Sequence, residues 1–382
     1  NHSSSTPLSS SHTESPSFVL FDSLSNTFKP VPTFDETQDG LGLAWYTCGP
    51  TVYDATHLGH ARTYVWMDIL RRVLEHTQAT ANRPAPLFVM NITDVDDKIL
   101  ARASENGEDP LSLAKRCEEE FWQDLDALGC LRPHVVTRVS EHVETDIVPY
   151  IERLVEEEMA YITDEGVYFN VRQYDSRMGH VTKYGKLAPP SAATDFFSRH
   201  DPSPNDTVKR DERDFALWKI RKEGEEVYWS SPWGEGRPGW HIECSAMIES
   251  IQQLFLKTHV FLVHAGGVDL KFPHHTNEIA QAEAYHPHRV AVEGEWIPHW
   301  IHTGHLHIEG MKMSKSLKNF ITVRALLSQG NQDSALSSPA DDFRLWCLGL
   351  SGSYRGPATY SQTRLEEAKT IREKLVRFLV DG

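Results

Sequence analysis

A chain of 382 residues exceeds one ordinary hydrophobic core, so two or three domains, or one core with a large insertion, are expected. A 40% hydrophobic, 24% charged composition is that of a globular protein, and no apolar run is long enough to span a membrane, so no membrane partner is expected. The formal charge of −16 argues against a protein that coats nucleic acid at large, while leaving room for a local basic surface.

Residues 1–40 read as a disordered or extended tail, since their Ser-rich start carries neither an arginine nor an apolar core. "LGLAWYT" is short, apolar and aromatic, and reads as a strand entering a loop at Cys48-Gly49-Pro50. Leu58, Ala61, Val65, Ile69, Val73 and Leu74 then recur at helical spacing over about five turns. "LFVMNI" is a second buried strand, and it leads into a helix that Thr93 or Asp94 is expected to cap. From about residue 111 to 159 the pattern is helical, with its acids on solvated faces. "EGVYFNV" reads as a strand and residues 188–207 as a loop. Residues 237–305 then return to strand–loop–helix grammar. The expected fold class is α/β: a Rossmann-like parallel sheet in two halves (41–140 and 237–305), split by an α+β insertion (141–236) and followed by a lysine loop and the start of a helical region (306–382).

Two motifs carry chemistry. His57-Leu58-Gly59-His60 opens a helix, where exposed N–H groups and the macrodipole favour phosphate, and Gly59 allows close approach to the backbone. The competing reading is a pair of surface histidines. "GMKMSKSLKNF" holds Lys312, Ser314 and Lys315 in a glycine-preceded stretch dense in lysine and hydroxyl groups; its competing reading is a basic surface loop. The pair of motifs resembles the class I aminoacyl-tRNA synthetases. That resemblance implies adenylation: an amino-acid carboxylate attacks the α-phosphate of ATP, and pyrophosphate leaves. His57, His60, Lys312 and Lys315 would be the catalytic residues, holding phosphates with Gly59 and Ser314, and Mg²⁺ would ride with ATP.

Five cysteines with no short-range pairing pattern favour a reducing compartment and a ligand role for any special thiol. His274 and Glu278, four apart on a predicted helix, share one face; with Cys48 and Cys244 they make a candidate four-ligand Zn²⁺ set that linear spacing alone does not single out. "YTCGPTVYDATHLGHAR", "NITDVDDKI", "RPGWHIECSAM", "GGVDLKFPHHTNEIAQ" and "KMSKSLKNF" together resemble the cysteinyl-tRNA synthetase family, over about residues 41–325. The resemblance implies one Zn²⁺ on Cys48, Cys244, His274 and Glu278 that takes the substrate thiolate. It also implies cysteine-pocket roles for Thr93 and Trp240, adenosine-site roles for Gly267 and Asp269 with His264 close by, L-cysteine and tRNA(Cys) as partners, and a eukaryote-like enzyme of the cytoplasm, with mitochondrial use left open. The plainer readings are a core aromatic for Trp240 and a helix cap for Asp269. His299, His302, His305 and His307 alternate along one expected strand and more readily pack or meet nucleotide than hold a second metal. Lys209, Arg210, Arg213, Lys219, Arg221 and Lys222 read as a solvated face before an RNA contact. Most of the family's stem-contact and anticodon regions would follow residue 382, so a C-terminally truncated ligase is expected, with weakened tRNA binding. The alternatives are a paralogous ligase passing cysteine to an amino sugar and an inactive binding module. Oligomeric state stays open.

Overall fold

The computed structural model describes residues 18–31, 41–179, 181–189, 208–288, 294–312, 319–329 and 338–381. The chain opens with a hairpin, β1 (Val19–Asp22) and β2 (Thr27–Pro30), before the first sheet strand, β3 (Gly42–Thr47). There follow α1 (Leu58–Thr80), β4 (Leu87–Ile92), α2 (Asp97–Asn106), α3 (Pro110–Ala127) and β5 (Val135–Arg138). A helical stretch runs through α4 (Val139–His142) and α5 (Val148–Glu156), and then β6 (Ala160–Thr163), β7 (Gly166–Phe169), α6 (Val171–Met178), β8 (Phe215–Ile220) and β9 (Gly236–Pro238). The chain returns through α7 (Trp240–Phe255), β10 (His259–Gly267), α8 (Thr276–Tyr285) and β11 (His299–Thr303). Short strands β12 (Leu306–Ile308), β13 (Met311–Lys312) and β14 (Ala358–Tyr360) come next, and the helix Gln362–Asp381 ends the chain.

The main sheet is parallel, in the order β11-β10-β3-β4-β5. All six residues of β3 and all six of β4 are buried, as expected where helices cover both faces. Chain order runs outward from β3 through β4 to β5, then resumes on the other side of β3 at β10. That reversal opens a crevice at the carboxyl ends of β3 and β10, the place where open α/β sheets bind ligands. Between β5 and β10 an antiparallel sheet, β6-β7-β8-β9, forms its own layer. Its core residues Phe169, Leu217 and Trp218 share a cluster with Ile242 and Ala246 of α7 and Ala280 of α8.

Five local expectations change. Residues 19–30, expected as tail, pair as the β1–β2 hairpin. Asp22 anchors it: the carboxylate accepts the Trp300 N–H at 2.8 Å and pairs with Lys29 at 2.9 Å. Only a contact distant in sequence explains this placement, which local composition cannot carry. β5 lies within the stretch expected to be helical, since four residues are too short to display a period. Neither Thr93 nor Asp94 caps α2; Asp96 does, accepting the Lys98 N–H at 2.8 Å, while Asp94 accepts the Ser140 N–H at 3.0 Å. The histidine stretch is two strands rather than one, broken at Gly304. Among the acids of α3, Glu118 is not on a solvated face: it is buried and holds Arg138 at 2.7 Å, tying α3 to β5. In the basic stretch, Arg213, Lys219 and Arg221 are ion-paired to Asp175, Asp97 and Glu235.

Candidate active site and metal centre

β3 ends at Thr47, and Cys48 continues along β10 with its N–H on the Ala265 carbonyl at 2.9 Å. Gly49 is required at the next turn, since a Cβ there would lie 1.7 Å from the Asn91 carbonyl oxygen, a backbone atom that cannot move aside. Cys244 lies in the second turn of α7, while His274 precedes α8 and Glu278 lies within it. All four side chains are buried. Cys48 Sγ is 3.7 Å from Cys244 Sγ, 3.7 Å from His274 Nε2 and 3.8 Å from Glu278 Oε1. Cys244 Sγ is 3.6 Å from His274 Nε2, and Nε2 is 3.0 Å from Glu278 Oε1. A tetrahedral Zn²⁺ with metal–ligand distances of ~2.0–2.3 Å separates its donor atoms by roughly 3.4–3.8 Å, so the four spacings to sulfur fit such an ion, while His274 Nε2 and Glu278 Oε1 stand closer than it would hold them. Two soft sulfurs, an imidazole and a carboxylate suit the same metal.

Surrounding groups fix the donors. His264 Nε2 takes the other Glu278 oxygen at 2.8 Å, and His241 Nδ1 approaches His274 Nδ1 at 3.3 Å. A second quartet, Cys48, His264, His275 and Glu278, shares two members with the first. Its imidazoles are otherwise engaged, His264 by Glu278 Oε2 and His275 by His302 at 2.8 Å, so they serve better as supports than as ligands. Charge follows the same pattern. Burial works to raise the Cys244 thiol, yet its contacts with Cys48 and His274 bring it down to about 6. Burial would also raise Glu278, but His264 and His274 hold its carboxyl at about 2. The Cys48 thiol is pushed well up by burial and by Cys244.

The other end of the crevice is the start of α1. His57 caps the helix: its Nδ1 accepts the His60 N–H at 3.2 Å, and the two rings stack at 3.8 Å. Burial lowers His57 to about 3 and His60 to about 4, the latter also through the charge of Lys98. Both are therefore neutral imidazoles at neutral pH, able to donate a hydrogen bond without carrying charge. Leu58 N–H bonds the Ile321 carbonyl at 3.0 Å, so the segment after the lysine motif lies against this helix start. Lys312 ends the described stretch in β13, its backbone paired with His307. The Lys312 side chain and residues Ser314 and Lys315 lie outside the described residues.

A cavity of about 330 Å³ joins the two ends. It is lined by Cys48, Cys244 and His274 at one end, by His57, Gly59 and His60 at the other, and by Thr93, Trp240, Gly267 and Asp269 between. Trp240 stacks on His274 at 4.4 Å, and Thr93 donates to Glu243 at 3.2 Å. Asp269 caps no described helix. His264 does not line the cavity; it stands fully buried behind the metal quartet. The late histidines disperse, with His305 in the cavity wall, His302 on His275, and His299 buried with both ring nitrogens unpartnered. Among the described residues they form no metal-holding group. Sequence reading missed Lys98, Tyr53 and Asn91 in the wall and Glu243 behind Thr93; of these only Lys98, a lysine beside three acids, gave any local signal.

A nucleotide-type sheet with a histidine-capped helix at its switch point defines the catalytic domain of a class I aminoacyl-tRNA synthetase. The Mycobacterium tuberculosis methionyl-tRNA synthetase in complex with methionyl-adenylate has this fold, with a TM-score of 0.59 and 17% identity, over 85% of this chain and 67% of that one. Residues 34–370 match the family described as "tRNA synthetases class I (C) catalytic domain", and the chain belongs to that family. It is 45% identical over 301 residues to the Dictyostelium discoideum "Cysteine--tRNA ligase, cytoplasmic", covering 78% of this chain and 43% of that protein. It is also 45% identical over 334 residues to the Thermococcus gammatolerans "Cysteine--tRNA ligase", covering 87% of this chain and 62% of the relative. The chain therefore spans less than two thirds of either relative's length.

Proposed function

We propose that the chain carries out the ATP-dependent activation of L-cysteine to cysteinyl-adenylate and its transfer to tRNA(Cys), with Zn²⁺ selecting the thiol. The observation that carries this reading is one cavity with a buried Cys₂HisGlu quartet at one end and two neutral histidines on a helix start at the other. Family membership and the names of the relatives support it.

Cys48, Cys244, His274 and Glu278 would hold the ion. Zn²⁺, when bound, supplies a soft Lewis acid that favours a thiolate over the hydroxyl of serine. A specific partner of that kind rejects an analogue lacking it by ~10⁴–10⁵-fold, which removes the need for editing. Trp240 and Thr93 border the cysteine, and Gly267 and Asp269 border the adenosine. The cysteine carboxylate attacks the α-phosphate and pyrophosphate departs; no proton needs to move. His57 and His60 donate to phosphate oxygens, the Gly59 backbone allows close approach, and Lys312, Ser314 and Lys315 close over the leaving group, with Mg²⁺ accompanying ATP. A cytoplasmic location is part of the proposal, following the name of the Dictyostelium relative.

Cysteine-dependent ATP–pyrophosphate exchange, with serine as control, tests the reading without RNA. Exchange with cysteine alone, lost on chelation and in Cys244→Ser, is the expected result. Exchange that survives zinc removal would overturn the metal's role while keeping the ligase. Silence from folded, zinc-loaded protein would overturn activation by this chain. Charging of tRNA(Cys), set against transfer to glucosaminyl-inositol, identifies the acceptor.

A further inference from the structure

ATP brings a polyphosphate into the cavity, yet the described wall holds a single lysine or arginine, Lys98. His57 and His60 are held neutral, and Asp269 adds negative charge. The lysine motif is expected over the β- and γ-phosphates, which leaves the reacting α-phosphate without a described cation.

Among the described residues Lys98 has no ion-pair partner, and its one ring contact is with another residue of the cavity wall. It is exposed in the first turn of α2, where a cation opposes the helix macrodipole, so its position gains no local stability. Neighbouring Asp97 is held by Lys219 and Arg237. Lys98 instead lies toward the cavity, with its Nζ 5.9 Å from the ring centroid of Tyr53, another wall residue. Among the described residues no carboxylate pairs with it. The strand before it, β4, leads to Asn91 and Thr93 at the amino-acid side of the wall, while its charge reaches His60 on the phosphate side. A flexible four-carbon stem between those two sides suits a mobile point charge.

We infer that Lys98 is a further catalytic residue, its ammonium meeting the α-phosphate oxygens as the cysteine carboxylate attacks. A carboxylate oxygen bonds to phosphorus, the bond to the bridging oxygen breaks, and that electron pair leaves with pyrophosphate. Lys98 stays protonated throughout and balances the charge gathering on the equatorial oxygens. The inference rests on the activation reaction proposed above.

The test is exchange kinetics on the zinc-loaded full chain and its Lys98→Met and Lys98→Arg variants, with Mg·ATP titration calorimetry, zinc content and thermal midpoint alongside. Lys98→Met should lower kcat for exchange roughly 10- to 100-fold, with the KM for cysteine, zinc content and midpoint unchanged, and Lys98→Arg should recover most of the loss. Exchange within twofold of the parent overturns the inference. So does equal loss in both variants with a lowered midpoint, which would make Lys98 structural. Normal exchange with impaired transfer to tRNA would overturn it too, assigning Lys98 to the RNA terminus. A parent chain silent in exchange would sink the activation reading instead; Mg·ATP titration then decides for Lys98 separately, with equal affinity in parent and Lys98→Met counting against it.

Discussion

Arg62, two residues after the histidine motif, is 1% exposed and has no carboxylate partner among the described residues. Its guanidinium instead binds three backbone carbonyls, Gly304 at 2.6 Å, Gly356 at 3.1 Å and Ser353 at 3.3 Å, while Nε has no partner. The first of these bonds ties α1 to the turn between β11 and β12, whose residues Thr303 to Leu306 line the cavity, and the other two tie it to the loop before β14. A bond from a charged donor contributes ~1.5–3 kcal/mol. Three would give an upper figure of roughly 5–9 kcal/mol, but burying the charge with one N–H unsatisfied costs several of these. Arg62→Met keeps the apolar stem and strips the charge, so a net loss of about 2–4 kcal/mol is expected. Urea unfolding followed by tryptophan fluorescence reads this directly, because Trp66 packs beside Tyr354 in the same region. A rise in the KM for ATP should accompany the loss as the cavity floor loosens. A variant as stable as the parent, or more so, would refute the reasoning, since desolvation of the guanidinium would then outweigh its three carbonyls.

Three further expectations follow from the same geometry. Gly49→Ala places a Cβ against the Asn91 carbonyl and must displace Cys48, so purified variant should carry far less zinc by metal analysis; a full complement would count against this. Burial raises Asp22 but Lys29 and the Trp300 N–H outweigh it, leaving the carboxyl below its usual value; Asp22→Ala should cost about 2–4 kcal/mol, and Asp22→Asn should flatten the loss of stability as pH falls below about 4, both read by denaturant titration across pH. His57 and His60 are depressed to about 3 and 4, so the unfolded chain binds their protons first; their contribution to stability is complete above pH ~6.5, declines as pH falls toward 4, and should shrink in His57→Asn. ATP binding, by the same logic, should show no titration from these two between pH 5 and 8.

The sequence made visible what is local. His57-Leu58-Gly59-His60 sits on consecutive residues, and β3 and β4 announce themselves as apolar runs because both of their faces are covered. The metal quartet is different in kind: its donors come from the end of β3, from α7 and from either side of the α8 start, and only resemblance to a family joined them. What stayed hidden depends on contacts between distant segments. The β1–β2 hairpin is held by Asp22 reaching a strand some 280 residues away, and no composition rule encodes that. The family resemblance implied a place for His264 near adenosine, beside Gly267 and Asp269. Strand alternation sends its ring to the opposite side, where it meets Glu278. Lys98, a lysine after three acids, gave a local signal that reads equally as part of a solvated helix start, so its place in the wall was not legible.

The inserted antiparallel layer and the metal centre share a support. Cys244 and Glu278 reach the metal quartet from α7 and α8, and the other faces of those helices, through Ile242, Ala246 and Ala280, are packed into the inserted layer's own core. The start of α7 is pressed onto β8: the Gly239 N–H bonds the Leu217 carbonyl at 2.8 Å, and a Cβ at Gly239 would lie 2.0 Å from the Ala216 carbonyl oxygen. Close packing leaves no slack at that joint, so a shift of β8 moves Cys244 and alters the donor spacing. A metal that tolerates only ~0.2 Å of error in its ligand distances needs that stiffness. The insertion therefore does more than interrupt the nucleotide fold, because it braces the two helices that carry Cys244 and Glu278 of the Cys/His/Glu quartet.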